Sequence, residues 1–107
     1  MTQYVQVYTT TDKEEEAGRI AAELVERRLA ACVQVLGPMR STYRWKGAVE
    51  NAREWLCVIK TSRALYPQVE QAVRGMHSYE TPEVLAVPIE AASAPYLLWL
   101  GGELRES

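Results

Sequence analysis

The 107 residues predict a single α+β domain, spanning 1–107, in the split β-α-β arrangement of ferredoxin-like folds, with an antiparallel sheet covered by helices. Three observations predict it. Hydrophobic periodicity runs strand, helix, strand, strand, helix, strand, and a short helical segment follows. Two stretches, near residues 14–28 and 65–76, repeat apolar side chains at helical spacing. Between them, two long strand-like arms flank Gly47 and read as one hairpin.

Each element has its own justification. Tyr4 to Thr9 alternates, with Val5 and Val7 on one face and Tyr4, Gln6 and Tyr8 on the other. Thr11 and Asp12 then offer N-caps, each with a glutamate three residues later (Glu14, Glu15), the capping-box spacing. Glu14, Glu15 and Glu16 suit the first turn of a helix dipole, and Arg27 and Arg28 its last. Ala17, Ile20, Ala21, Leu24 and Arg28 form a narrow stripe, suited to covering a sheet. Cys32 to Leu36 is strand-like, Gly37-Pro38 interrupts it, and Met39 to Lys46 resumes it. In that outer part Arg40, Thr42, Arg44 and Lys46 share one face, and Ser41, Tyr43 and Trp45 the other. The return arm ends in the apolar run Trp55 to Ile59.

The second helix carries Leu65, Val69, Ala72, Val73 and Met76 on its apolar stripe. Pro67 fits only its first turn, so Ser62 or Arg63 is expected near the cap. Gly75 is expected at the left-handed C′ position. Val84 to Ile89 is the last strand, and Pro88 requires an edge or a bulge there. Ser93 caps a short terminal helix that Gly101-Gly102 is expected to end.

Composition excludes several function classes. An apolar content of 48% fits a folded globule, outside the range of disorder. Net charge is −2 with acids and bases interspersed, so no nucleic-acid footprint is present. Met1-Thr2-Gln3-Tyr4 lacks the basic and apolar regions of a secretory leader. No apolar run reaches the ~20 residues of a membrane span, and a soluble cytoplasmic protein is the expectation. If the hairpin turns at Gly47, Cys57 faces about position 37, roughly 16 Å along the strand from Cys32. That exceeds the Cα separation of about 7 Å that a disulfide tolerates, so both thiols are expected free.

The arm from Cys32 to Lys46 would span about 50 Å if continuous, against a radius of gyration near ~13 Å for a domain of this length. Its outer half should therefore project beyond the core, carrying Tyr43, Trp45 and, on the return, Trp55. Aromatics on an unpaired ribbon invite aggregation unless covered. Packing against a second copy would cover them; curling back onto the chain's own sheet is the alternative.

The segment His77-Ser78-Tyr79-Glu80-Thr81-Pro82-Glu83 concentrates the polar chemistry: the only histidine, two carboxylates, a phenol and a proline at a helix-to-strand junction. His77 and Glu80, with Cys32 as a thiol and Met76 as a thioether, are candidate ligands for a soft or borderline ion such as copper. His77 as a C-terminal helix cap is the competing reading. Lys60, Tyr79 and Glu83 are candidates for a small-ligand cleft. Lys60 would be either a cation for an anionic ligand or a partner of Glu54 or Glu83. Tyr43 and Trp45 suit either ligand stacking or a subunit interface. No phosphate loop and no nucleophile motif is present, and the chain is expected to bind rather than catalyse.

Leu29-Ala30-Ala31-Cys32-Val33, Tyr43-Arg44-Trp45-Lys46-Gly47, Ile59-Lys60-Thr61, His77-Ser78-Tyr79-Glu80-Thr81-Pro82-Glu83 and Tyr96-Leu97-Leu98-Trp99-Leu100, in that order, resemble the CutA divalent-cation tolerance proteins. The resemblance implies the same ferredoxin-like fold, a homotrimer whose hairpins pair between subunits, and divalent-metal tolerance, with copper or another divalent ion bound and no obligatory cofactor. Copper ligands proposed for some relatives are a cysteine ending the first strand and two adjacent histidines ending the second helix. Here those positions are Thr9, Met76 and His77, and the relatives' His-Pro-Tyr-Glu is His77-Ser78-Tyr79-Glu80. By fold analogy with trimeric PII signalling proteins, a small-ligand sensor is a second reading, and a purely structural trimer a third.

Overall fold

The structure, a computed structural model, describes residues 3–106. Met1 and Thr2, on which the reading of a leaderless start partly rests, lie outside the described residues. The element order is β1 (Tyr4–Thr11), α1 (Glu14–Glu26), β2 (Cys32–Trp45), β3 (Ala48–Ser62), α2 (Tyr66–Met76), β4 (Leu85–Pro88) and α3 (Ala94–Glu103). The strands form one antiparallel sheet in the order β2-β3-β1-β4, the ferredoxin-like arrangement expected. Pro88 lies on the edge strand opposite Val5, where a missing N–H is tolerated. No helix among the described residues is long and apolar enough to cross a membrane.

The core follows from strand alternation. Val5, Val7, Thr9 and Thr11 share the face of Cys57, Ile59 and Thr61 across the β1–β3 pair. Ile20 and Leu24 of α1, with Val69 and Val73 of α2, close over that face and are fully buried. The opposite face carries Tyr4, Gln6, Tyr8 and Thr10.

Helix ends differ from the expectations in informative ways. No capping box forms at α1; Lys13 is the N-cap, with no side-chain cap bond. Thr11 Oγ1 instead accepts from the Lys13 amide at 3.3 Å and donates to Glu16 at 2.6 Å. Arg27 and Arg28 lie beyond the last turn of α1, and Arg28 is left-handed (φ 57°). Its guanidinium reaches the Gly102 and Glu103 carbonyls at 3.1 and 3.0 Å, so its charge serves the C-terminus of α3. Gly75 is an ordinary helical residue, and His77 is the C-cap. Gly101 and Gly102 lie inside α3; Gly101 is a contact surface, because a Cβ there would collide with the Tyr4 hydroxyl. Ser93 caps α3 as expected, accepting from the Tyr96 amide at 3.4 Å. Ser62 starts the turn into α2 by accepting from the Leu65 amide at 3.1 Å.

The hairpin does project. β1 pairs β3 only from Trp55 to Ser62, so Met39–Trp45 and Ala48–Glu54 form a two-stranded ribbon. It closes through Lys46 and Gly47, both at positive φ (51° and 83°), the pattern of a two-residue type I′ turn. The molecule is 44 Å long but only 25 and 22 Å across, and its radius of gyration is 14.3 Å. A register shift between Leu36 and Met39 accommodates Gly37-Pro38. Cys57 therefore faces Val35 rather than position 37, and Cys32 faces Lys60; both thiols are free.

Candidate functional site

The segment from His77 to Val84 joins α2 to β4 and gathers a buried polar network. The His77 side chain is fully buried. Its Nε2 lies 2.7 Å from the Thr10 carbonyl oxygen and its Nδ1 3.1 Å from the Tyr79 amide nitrogen. A carbonyl only accepts and an amide N–H only donates, so the ring is neutral with its proton on Nε2. It donates to Thr10 and accepts from Tyr79, and neither nitrogen has a lone pair left for a metal.

Glu16, only 3% exposed, is held by the same junction. Its Oε2 accepts from Thr11 Oγ1 at 2.6 Å, from Ser78 Oγ at 3.1 Å and from the Ser78 amide at 3.3 Å. Burial opposes its ionisation, but these hydrogen bonds and the neighbouring His77 outweigh it and hold the carboxyl below its ordinary range. His77 Nδ1 is 3.5 Å from Glu16 Oε2, which is an ion pair only when the imidazole is protonated. Loop 77–80 is thereby tied to the end of β1 and the start of α1.

Tyr79 extends the network across the sheet. Its ring is tilted against His77 at 4.8 Å, and its hydroxyl donates to Glu54 Oε2 at 2.7 Å. Burial and the Glu54 carboxylate push the phenol's pKa far above the usual range. Glu54 is 5% exposed, and among the described residues this is its only side-chain hydrogen bond, with no ion pair. It forms part of the wall of an open cavity of about 550 Å³ between the base of the ribbon and the 79–83 segment. Thr10, Tyr43, Trp45, Tyr79, Glu80 and Glu83 also line it.

The residues singled out in the sequence are distributed unequally. Tyr79, Glu80 and Glu83, with Tyr43 and Trp45, come together around this cavity. Lys60 does not; it donates to Gln34 at 3.0 Å and faces Cys32. Trp55 is half-buried against the core, under the Arg53 guanidinium at 5.5 Å. Cys32 pairs with Lys60, whereas Thr10, which holds His77, pairs with Leu56. Those positions differ by four residues of β3, roughly 13 Å along the strand. Met76 is half-buried with its carbonyl held by Arg19 at 3.2 Å. Cys57 is buried and its thiol pKa is pushed up to about 11 by desolvation and Glu16. No three histidine, cysteine, aspartate or glutamate side chains among the described residues converge on one point. The donors present thus do not form a soft-metal cage, and the Thr9 hydroxyl, at the first-strand position, is buried without a partner.

Glu54 and Glu16 are the site residues that sequence reasoning missed as such. A glutamate directly ahead of the apolar run Trp55–Ile59 was the available signal for Glu54; for Glu16, the first-turn acids all looked alike.

Comparison with known proteins was consistent along the chain. The sequence pattern of the family described as CutA1 divalent ion tolerance protein matches residues 5–103. The divalent-cation tolerance protein CutA of Thermus thermophilus is 42% identical over 94 residues, 88% of this chain and 91% of that protein. Protein CutA of Mus musculus is 43% identical over 93 residues, 87% of this chain and 52% of the mouse protein; this chain thus spans about half the mouse length. The crystal structure of CutA1 from Oryza sativa superposes with a TM-score of 0.96 at 36% identity, covering 99% of this chain and 97% of the rice one.

Proposed function

Because the chain belongs to the CutA1 divalent ion tolerance family, we propose that it works as a homotrimeric binding protein in divalent-cation tolerance, holding metal ions weakly and catalysing nothing. One observation carries the assembly: the ribbon Met39–Glu54 has no third strand, yet exposes Tyr43 and Trp45 at 42% each and Val49 at 60%. Apolar surface of that kind on a projecting two-stranded arm is normally covered by another chain. Trp55, packed beside Gly37, sits at the root of the same contact.

Weak metal contact is the corresponding chemical reading. His77 already uses both ring nitrogens, so exposed carboxylates such as Glu80 are the donors, exchanging ions quickly. Copper or another divalent ion is then a passing ligand. A cytoplasmic location is part of the same proposal, and two free thiols are compatible with a reducing compartment. The test is calorimetric titration of Cu(II) into the native protein and His77→Gln. Equal affinities are expected; a tenfold or larger loss in the variant would make His77 a ligand and overturn the reading.

A further inference from the structure

We infer that the cavity between the ribbon base and the 79–83 segment binds an organic di- or polycation, an aliphatic diamine or triamine. The inference goes beyond metal tolerance and stands on three observations. First, Glu54 is 95% buried, as its 5% exposure shows, with no cation beside it and one carboxylate oxygen lacking a partner in the chain. A buried carboxylate in that state is strongly unfavourable unless a positive group joins it. Second, Glu80 and Glu83 add two more carboxylates on the same walls, while Tyr43 and Trp45 supply aromatic surface. Ammonium groups are drawn to aromatic faces as well as to carboxylates, and methylene chains pack on them.

Third, the spacing of the acids selects the kind of cation. A metal ion needs its oxygens within about 2.3–2.6 Å of a single point, and no three acidic, histidine or cysteine side chains among the described residues converge so. Charges spread around a cavity of about 550 Å³ suit a ligand whose own charges are spread along a chain. That volume is also in the range of small-molecule sites, roughly 300–1,000 Å³. One ammonium would donate to the free Glu54 oxygen while Tyr79 holds the other; the second would meet Glu83 at the rim. Lys60, the one cation expected in a cleft, is occupied by Gln34. The walls thus present carboxylates and no cation.

The experiment is titration of 1,4-diaminobutane and spermidine into the native full chain, followed by calorimetry and tryptophan fluorescence, with n-butylamine and magnesium as comparison cations. Both polyamines should bind at least tenfold more tightly than n-butylamine. Glu54→Gln, which keeps an acceptor for Tyr79, should weaken diamine binding at least tenfold. Glu83→Gln, an exposed change with little bearing on folding, should weaken it several-fold and serves if the Glu54 variant misfolds. No polyamine binding to the native protein would overturn the inference, as would unchanged affinity in both variants or magnesium binding there in preference to the diamines. These readouts do not depend on copper affinity or subunit number, so failure of the metal reading leaves them decisive.

Discussion

Removing the Tyr79 hydroxyl tests the core of the site most sharply. Tyr79→Phe preserves the ring and its contact with His77 but deletes the donor 2.7 Å from Glu54 Oε2. Glu54 has no other side-chain hydrogen bond among the described residues, so the substitution strands a carboxylate that is only 5% exposed. Hydrogen bonds to charged groups contribute about 1.5–3 kcal/mol, and a buried acceptor left bare loses that order of stability. The Tyr79→Phe loss should therefore be about 2 kcal/mol, and Glu54→Gln should cost less, since its amide oxygen still accepts. A double-mutant cycle with Tyr79→Phe, Glu54→Gln and both together isolates the pair. Urea unfolding at one fixed protein concentration supplies the free energies, because assembly makes apparent stability concentration-dependent. A coupling energy of about 1 kcal/mol or more is expected. A value within error of zero would mean that water satisfies Glu54 and that the carboxylate is not a buried, uncompensated charge.

Two further perturbations check the frame around the site. Gly37→Ala should lower stability by about 1–3 kcal/mol, because overpacking of this kind forces its neighbours to move; its Cβ would lie 2.6 Å from Trp55 Cδ1 and 3.0 Å from the Glu54 carbonyl oxygen. Equal urea midpoints for the two proteins would contradict that packing. Glu16 has a folded pKa below its ordinary value, so its stabilisation is present above about pH 4.3, the unfolded value, and is lost as pH falls through the folded pKa. Stability measured from pH 6 to pH 2 should therefore fall on the acid side, and Glu16→Gln should flatten that fall while lowering stability at pH 6 by about 1–3 kcal/mol. An identical acid limb in the variant would show that other carboxylates carry the effect.

The strands and their order were legible because alternation of period two survives in every arm, and Pro88 marked the edge by its missing donor. Helix ends were less legible, since their signals were spent on distant partners. Arg28 looked like the last turn of its own helix but serves the carbonyls of α3. Gly101 looked like a stop signal and is a close approach to Tyr4. In the site, Tyr79 and Glu83 stood out by local density of polar groups, whereas Glu54 meets Tyr79 across 25 residues of sequence, a contact that only the folded hairpin creates. His77 was readable as a helix-end residue; its second bond, to a carbonyl 67 residues away, was not.

Native mass spectrometry of the untagged chain and its Trp45→Arg variant tests the central claim most directly, because assembly rests on the exposed ribbon. The account predicts three subunits for the native chain, with bound copper lost at low collision energy, and a single subunit for the variant, whose arginine would bury an unpaired charge at the contact. A native chain that flies as one subunit, or a variant that stays fully assembled, would contradict it.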